Sequence, residues 1–155
     1  MESEVKICDL GAAKVLDPNN LNTPYVVSRY YRAPELILGS HYYDCSIDVW
    51  SAACILFELI TRTPLFPGEA EGLQVLEMAS LKGMPTQEEM SELSKICEAP
   101  VIQLLKRNTN YGEVDLERLM SANTQSQYSK NDIKNAADLV TKCIQWVPKN
   151  RISAA

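Results

Sequence analysis

Residues 28–35 read SRYYRAPE, and this stretch decides how the rest of the chain is interpreted. Two further features follow it in order: DVWS at residues 48–51, and an arginine, Arg151, near the end. Glu35 can form a bidentate buried ion pair with Arg151, because a guanidinium matches a carboxylate in geometry. Asp48 can accept backbone N–H groups and hold a neighbouring loop. The order of these residues predicts a loop anchored next to a buried helix.

The strongest helical pattern covers residues 47–62, with Ser46 as its predicted N-cap. Apolar side chains surround the axis of this segment, which is typical of a central core helix. Further helices are predicted at residues 34–39, 71–82, 86–97, 101–107, 115–120 and 132–146. The sequence therefore predicts a mainly α fold.

Smaller signals refine the ends of these elements. Thr86 and Glu89 have capping-box spacing, and Asn131 is the predicted cap of the last helix. Residues 121–128 are predicted to be a polar linker. Residues 5–8 are β-prone and are predicted to form a short N-terminal strand.

Composition excludes several classes of protein. The chain of 155 residues carries a net charge of −5 and is 46% hydrophobic, which suits one domain with a core. No basic run stands out, so we expect neither a nucleic-acid partner nor an acidic membrane surface. The longest apolar run, at residues 52–59, is far too short to span a bilayer. The first residues lack the features of a signal peptide.

The cysteines and the single histidine do not form a metal pattern. The 5 cysteines are widely spaced without any C-x-x-C, so neither a zinc ribbon nor a disulfide framework is indicated. We expect reduced thiols in a cytoplasmic or nuclear protein. His41 is the only histidine, and nothing supports a metal site or a catalytic triad around it.

Together these segments resemble the C-terminal lobe of Ser/Thr protein kinases of the CMGC group, and they are most similar to glycogen synthase kinase-3. The resemblance extends over nearly the whole chain. It rests on SRYYRAPELI at residues 28–37, SIDVWSA at 46–52, LFPG at 65–68, MPT at 84–86 and RISA at 151–154. It is weaker over about residues 87–127, which look like the CMGC insert region.

The resemblance implies a partial protein kinase domain over residues 1–155, with its N-terminal lobe absent. The activation segment would be residues 9–35, beginning at the sequence DLG and ending at APE. Taken alone, DLG is a common turn sequence. Its weight comes from standing about one activation segment ahead of APE.

The resemblance also implies roles for individual residues. Asp9 would be the magnesium ligand, because Mg²⁺ prefers hard oxygen ligands beside nucleotide phosphates. Lys14 would help to bind a phosphate already present on the substrate; the alternative is an ordinary solvated lysine. Tyr25 would be the activation-loop phosphosite, and its phosphate could pair with Arg29 and Arg32. An unmodified loop tyrosine remains the alternative.

The machinery of phosphoryl transfer is incomplete in these residues. The chain contains no Gly-rich loop, no V-A-I-K lysine and no H-R-D catalytic loop. We therefore expect a part of a kinase that uses Mg-ATP on protein substrates, possibly pre-phosphorylated ones, and that is inactive alone. Scaffolds or regulators would dock near residues 87–127. Two alternatives stay open: a non-catalytic decoy or partner-binding module, and a helical domain unrelated to kinases.

Overall fold

The computed structural model describes residues 4–16, 21–24, 28–97, 103, 105, 111–124 and 127–154. Within these residues it contains six α-helices with defined ends and three short 3₁₀ turns. The helices are α1 Pro34–Ile37, α2 Ser46–Thr61, α3 Glu71–Lys82, α4 Gln87–Ile96, α5 Leu116–Asn123 and α6 Lys130–Cys143. The turns are Leu10–Ala12, Arg29–Tyr31 and Pro148–Asn150. These residues contain no strand beyond an isolated bridge between Lys82 and Glu113, so the prediction of a mainly α fold is confirmed. No helix among them is long and apolar enough to cross a membrane.

The long helix α2 has one face in the core and one face in solvent. Trp50 and Phe57 are buried, and Trp50 stacks on Phe66 with ring centroids 5.5 Å apart. On the opposite face Ile55 is 47% exposed and Leu59 is 53% exposed. The sequence predicts that α2 is buried on nearly all sides. In the structure it is buried on one face only, because no described element covers the face with Ile55 and Leu59.

The ends of α2 also differ from the prediction. Ser46 is the first helical residue rather than the N-cap, and its N–H donates to Oδ1 of Asp44 at 2.8 Å. An aspartate two residues earlier thus takes up an otherwise unpaired donor of the first turn. The helix ends at Thr61. Arg62 then adopts a left-handed conformation, φ 63 and ψ 17, and donates its N–H to the Glu58 carbonyl.

Residues 5–8 form no strand, so that prediction is wrong. Val5 is 94% exposed and Ile7 is 92% exposed. A strand needs a neighbour for its backbone donors and acceptors, and no described residue pairs with this segment. β-propensity alone therefore did not decide the local structure.

Capping boxes start two helices. The predicted box of α4 is present: Glu89 N–H donates to Thr86 Oγ1 at 3.2 Å, and Thr86 N–H donates to Glu89 Oε2 at 2.9 Å. A second box, between Ser129 and Asp132, starts α6. The predicted cap, Asn131, is therefore wrong and lies inside the helix, because the serine two residues earlier satisfies the first-turn donors.

Three predicted boundaries in the C-terminal half are corrected or untested. α5 extends beyond residue 120, so the first part of the predicted linker is helical; Asp115 starts α5 by accepting the Arg118 N–H at 3.1 Å. α6 ends before residue 146, because Trp146 leaves the helix and donates its Nε1–H to the Gly83 carbonyl at 3.0 Å. The predicted helix 101–107 falls mostly outside the described residues, of which only 103 and 105 are helical.

Candidate functional site

Glu35 and Arg151 form a buried two-pronged ion pair. Arg151 Nη1 donates to Glu35 Oε1 at 2.7 Å, and Nη2 donates to Oε2 at 2.6 Å. Both side chains are 0% exposed. The guanidinium also donates to the Gln145 and Ser46 carbonyls, each at 3.1 Å, and lies 5.2 Å from the centroid of the Trp50 ring. One arginine thereby joins the end of the loop at residues 28–35 to α2 and to the C-terminal turn.

The short helix α1 holds Glu35 in place. Pro34 occupies its first position, where a fixed φ suits a helix and no N–H is needed. Gly39 follows the helix with φ 81, as the sequence predicts. Ser40 donates its N–H to the Glu35 carbonyl at 2.8 Å. Backbone and carboxylate of Glu35 are therefore fixed by the same turn.

Tyr31 binds the loop at residues 28–35 to α2. Its hydroxyl donates to Glu58 Oε2 at 2.9 Å, and the Ser51 hydroxyl donates to the Tyr31 carbonyl at 2.8 Å. The hydrogen bond to Glu58, followed by burial, raises the pKa of Tyr31 above its ordinary value of 10.0. The phenol therefore stays protonated and remains a donor at neutral pH.

Arg29 and Arg32, the predicted phosphate partners, contact the beginning of α3. The Arg29 guanidinium donates to the Glu69 carbonyl, and the Arg32 guanidinium lies 3.8 Å from Glu71 Oε1. Gln74, in the first turn of α3, donates its side-chain amide to the Arg29 carbonyl at 3.1 Å. A phosphate that binds these arginines would compete with contacts they already make.

Gln74 is completely buried where the chain passes closest to α3. A Cβ placed on Gly68 would lie 2.6 Å from the Gln74 backbone, so this approach requires glycine. The LFPG sequence indicates the turn, but nothing in the sequence indicates the burial of Gln74. A glutamine within a helix is normally solvated, so its type gave no signal of burial.

Lys14, the predicted contact for a substrate phosphate, is held by Asn22. Its Nζ donates to Asn22 Oδ1 at 2.5 Å and lies 5.5 Å from the centroid of the Tyr43 ring. Asn22 is only 9% exposed, and its backbone N–H donates to the His41 carbonyl at 3.0 Å. The sequence did not indicate Asn22 or Tyr43, because the docking of residues 21–24 on residues 40–43 leaves no periodic pattern.

Asp9, the predicted magnesium ligand, is exposed at the start of the first 3₁₀ turn. Its backbone is left-handed, φ 60 and ψ 68, a conformation that aspartate tolerates, and Oδ1 accepts the Gly11 N–H at 3.4 Å. No group of three His, Cys, Asp or Glu side chains suits a metal within the described ranges. A single carboxylate fits magnesium when phosphate oxygens and water complete the octahedral shell.

Asp48 is exposed in the first turn of α2. Its carboxylate has no hydrogen-bond partner in the described part of the chain. It lies at the edge of a cavity of 620 Å³, whose lining includes residues 12–16, Tyr43 and Cys45. Its expected role in holding a neighbouring loop stays a prediction.

Two predicted features lie wholly or partly outside the described residues. Tyr25 is one of them, so its phosphorylation stays a prediction. The predicted insert region, 87–127, is described only in part, through α4, α5 and a few residues between them. Docking of partners on that region also stays a prediction.

The helical architecture, with an anchored loop ending in APE, defines the class as a protein kinase C-terminal lobe. Residues 1–155 match the family model for the protein kinase domain over their whole length. The chain belongs to the protein kinase family.

Three relatives show where in that family it lies. Protein kinase gsk31 of Schizosaccharomyces pombe is 41% identical over 150 residues, which is 97% of this chain and 36% of that kinase. Mitogen-activated protein kinase 10 of Arabidopsis thaliana is 40% identical over 154 residues, covering 98% and 35%. Protein kinase gsk3 of Schizosaccharomyces pombe is 35% identical over 151 residues, covering 97% and 35%.

These matches confirm the resemblance to glycogen synthase kinase-like members of the CMGC group. The chain spans 35% to 36% of the length of these curated relatives.

Proposed function

We propose that this chain is the substrate-binding part of an ATP-dependent Ser/Thr protein kinase, which transfers the γ-phosphate of ATP to protein hydroxyl groups. The observation that carries the proposal is the buried pair between Glu35 and Arg151. It fixes the end of the activation segment against α2, where a protein substrate would lie across the loop at residues 28–35. A rigid platform of this kind positions a hydroxyl for transfer.

Mg-ATP is the cofactor in this proposal. It supplies the phosphoryl group, and its metal neutralises charge that develops on the phosphate oxygens. Asp9 would provide one carboxylate oxygen to the magnesium. Its exposure next to a short turn leaves that oxygen open to a nucleotide.

The proposed substrates are proteins that already carry a phosphate a few residues C-terminal to the target. Lys14, Arg29 and Arg32 place three cations on the activation segment, which suits an anionic substrate. Phosphorylation of Tyr25 would add an anion that competes with α3 for the two arginines. That competition would order the loop in a new arrangement.

The chain by itself should transfer no phosphate. Its 155 residues contain no Gly-rich loop, no V-A-I-K lysine and no H-R-D loop. These parts clamp the ATP phosphates, accept the hydroxyl proton and hold the second metal. Asp9 alone cannot replace them.

Two measurements test the proposal. Purified chain is incubated with radiolabelled Mg-ATP and a peptide that is phosphorylated a few residues C-terminal to a serine, and we expect no incorporation. Measurable turnover by pure material would show that the missing parts are not needed. Binding of the same peptide, with and without its phosphate, is then measured by fluorescence anisotropy. Lys14→Met should reduce the preference for the phosphorylated peptide. Lys134→Met, a control at an exposed position of α6, should leave that preference unchanged.

A partner-binding module without catalysis is the second candidate. The exposed apolar face of α2, with Ile55 and Leu59, favours it, because a stripe of this kind is available to another protein. Partners would also dock near residues 87–127. The upstream reading frame separates the two candidates: an encoded H-R-D-x-x-x-x-N favours the kinase, and a stop codon with an intact promoter favours the module.

The proposed location is the cytoplasm or the nucleus. All five cysteines are described and none is in a disulfide: Cys8, Cys45, Cys54, Cys97 and Cys143. Free thiols suit a reducing compartment. With a net charge of −5, the chain is not expected to bind nucleic acid.

A further inference from the structure

Contacts from Asn22 and from Tyr43 fix the amine of Lys14. We propose that His41 and Tyr43 are positioning residues for Lys14, holding its amine where it meets a substrate phosphate. This inference rests on the proposed function, and it deepens that function by naming the residues that set the geometry of the phosphate-binding lysine. They act through residues 21–24, which dock on the turn at residues 40–43.

Asn22 and His41 hold each other through two hydrogen bonds in opposite directions. The Asn22 N–H donates to the His41 carbonyl at 3.0 Å, and His41 Nδ1 lies 2.8 Å from the Asn22 carbonyl. A carbonyl can only accept, so Nδ1 carries the proton and donates it. The reciprocal pair fixes Asn22 at one place on the turn.

Tyr43 adds a third tie and a surface for the amine. Its hydroxyl donates to the Thr23 carbonyl at 2.8 Å. Its ring centroid lies 5.5 Å from Lys14 Nζ, within the range of a cation–π contact. The same residue therefore fixes the docked segment and attracts the lysine.

Asn22 transmits this order to the lysine. Its side chain is buried, and Oδ1 accepts one proton of the Lys14 amine at 2.5 Å. A lysine on a flexible four-carbon stem would otherwise sample many positions. Because the backbone of Asn22 is fixed by His41, Oδ1 holds the amine in one of them.

The partners of Lys14 leave its charge available. An amide oxygen and an aromatic ring stabilise an ammonium group without neutralising it, unlike the carboxylate of Glu71 beside Arg32. Asn22 occupies one of the three N–H donors of the amine. The remaining donors and the full positive charge can meet a phosphate.

Competitive acylation by a trace of acetic anhydride, read by mass spectrometry, measures this positioning in the 155-residue chain. Lys14 should react about threefold to tenfold more slowly than Lys134, an exposed lysine with no bonding partner among the described residues. Lys82, which donates to Glu113 Oε1 at 2.9 Å, serves as an internal monitor of folding.

Two matched substitutions of His41 separate positioning from general structure. In His41→Asn the side-chain N–H takes the place of Nδ1–H, whereas in His41→Gln it lies further out and misses the Asn22 carbonyl. We expect His41→Asn to keep Lys14 slow, and His41→Gln to bring its rate up to that of Lys134 with Lys82 unchanged. Equal Lys14 rates in the two variants overturn the inference.

Tyr43 gives a second, independent comparison. Tyr43→Phe keeps the ring and loses only the hydrogen bond of the hydroxyl, whereas Tyr43→Leu loses the ring and the hydrogen bond. Acylation of Lys14 should therefore be accelerated less in Tyr43→Phe than in Tyr43→Leu. If His41→Gln also accelerates acylation of Lys82, the substitution has disturbed the fold, and the comparison of the two Tyr43 variants then tests the positioning of Lys14. The same Lys14 rate in both Tyr43 variants and in the unmodified chain counts against the inference.

A phosphopeptide arm tests the underlying function separately. Excess phosphoserine peptide should slow acylation of Lys14 at least about twofold, and the unphosphorylated peptide should not. If neither peptide slows Lys14, its phosphate-binding role fails. The His41 and Tyr43 variants still decide whether these residues position the lysine.

Discussion

Removing Arg151 should destabilise the chain more than removing the charge of its partner. Arg151→Met leaves the Glu35 carboxylate with no cation from the described residues, in a site where its side chain is 0% exposed. Breaking a buried pair in this way costs about 3–5 kcal/mol. Since a domain is stable by roughly 5–15 kcal/mol, this loss is a large fraction of the total.

Glu35→Gln should cost less, about 1–3 kcal/mol. The guanidinium that remains keeps the carbonyls of Gln145 and Ser46 as acceptors and still lies against the Trp50 ring. The asymmetry follows from the contacts, because among the described residues the arginine has several acceptors whereas the carboxylate is paired with Arg151 alone. The double variant should lose less than the sum of the two single losses, because no unpaired buried charge is left.

Urea unfolding followed by circular dichroism measures these differences. With a slope of about 2 kcal/mol per molar, Arg151→Met should lower the midpoint by about 1.5–2.5 M. Lys142→Met is the matched control, because Lys142 pairs with Asp138 at 2.7 Å on the exposed face of α6. It should change stability by less than about 0.5 kcal/mol. Equal losses in Arg151→Met and Glu35→Gln would refute the reasoning.

Three further outcomes are expected. Arg62→Gly should stabilise the chain by about 0.5–1 kcal/mol, measured by urea unfolding, because glycine adopts the left-handed conformation found there, φ 63, without a steric cost. Arg62→Ala, which keeps a Cβ, should not stabilise it. Gly68→Ala should lower the free energy of unfolding by about 1–3 kcal/mol in the same assay, because the added Cβ would lie 2.6 Å from the backbone of α3. Gly112→Ala is the control and should leave stability unchanged, because a Cβ there meets nothing within 4 Å. Burial raises the pKa of the Cys54 thiol from 9.0 to about 12 in the folded chain. Because the thiol ionises at lower pH in the unfolded chain, the free energy of unfolding should fall as the pH rises from 9 towards 12. Cys54→Val should flatten that alkaline decline, and an unchanged slope would contradict the assignment.

Local signals in the sequence predicted local structure well. The capping box of Thr86 and Glu89 was predicted correctly, because both partners belong to one turn of helix. The glycine after α1 was also predicted, since its left-handed conformation has a strong preference for one residue type. The pairing of Glu35 with Arg151 was predictable because it comes with a recognisable motif.

Features that depend on distant neighbours were not predictable. The apolar pattern of α2 identified a core helix, but it could not show that Ile55 and Leu59 would stay uncovered. The β-prone run at residues 5–8 could not show that no described residue pairs with it. In the candidate site, Asn22 was missed because its burial depends on a turn about twenty residues away, and no local rule links the two segments.

The pair of Glu35 and Arg151 also constrains the order of events during synthesis. The two residues are separated by 116 positions, so a ribosome adding roughly 5–20 residues per second takes about 6–23 s between them. During that interval Arg151 is not yet available to the Glu35 carboxylate, and burying the carboxylate without it is unfavourable. The region around α1 therefore closes only after Arg151 has emerged. A chain stalled before α6 has been made would expose the side of α2 that α6 covers in the finished structure, and we expect chaperones to bind it there.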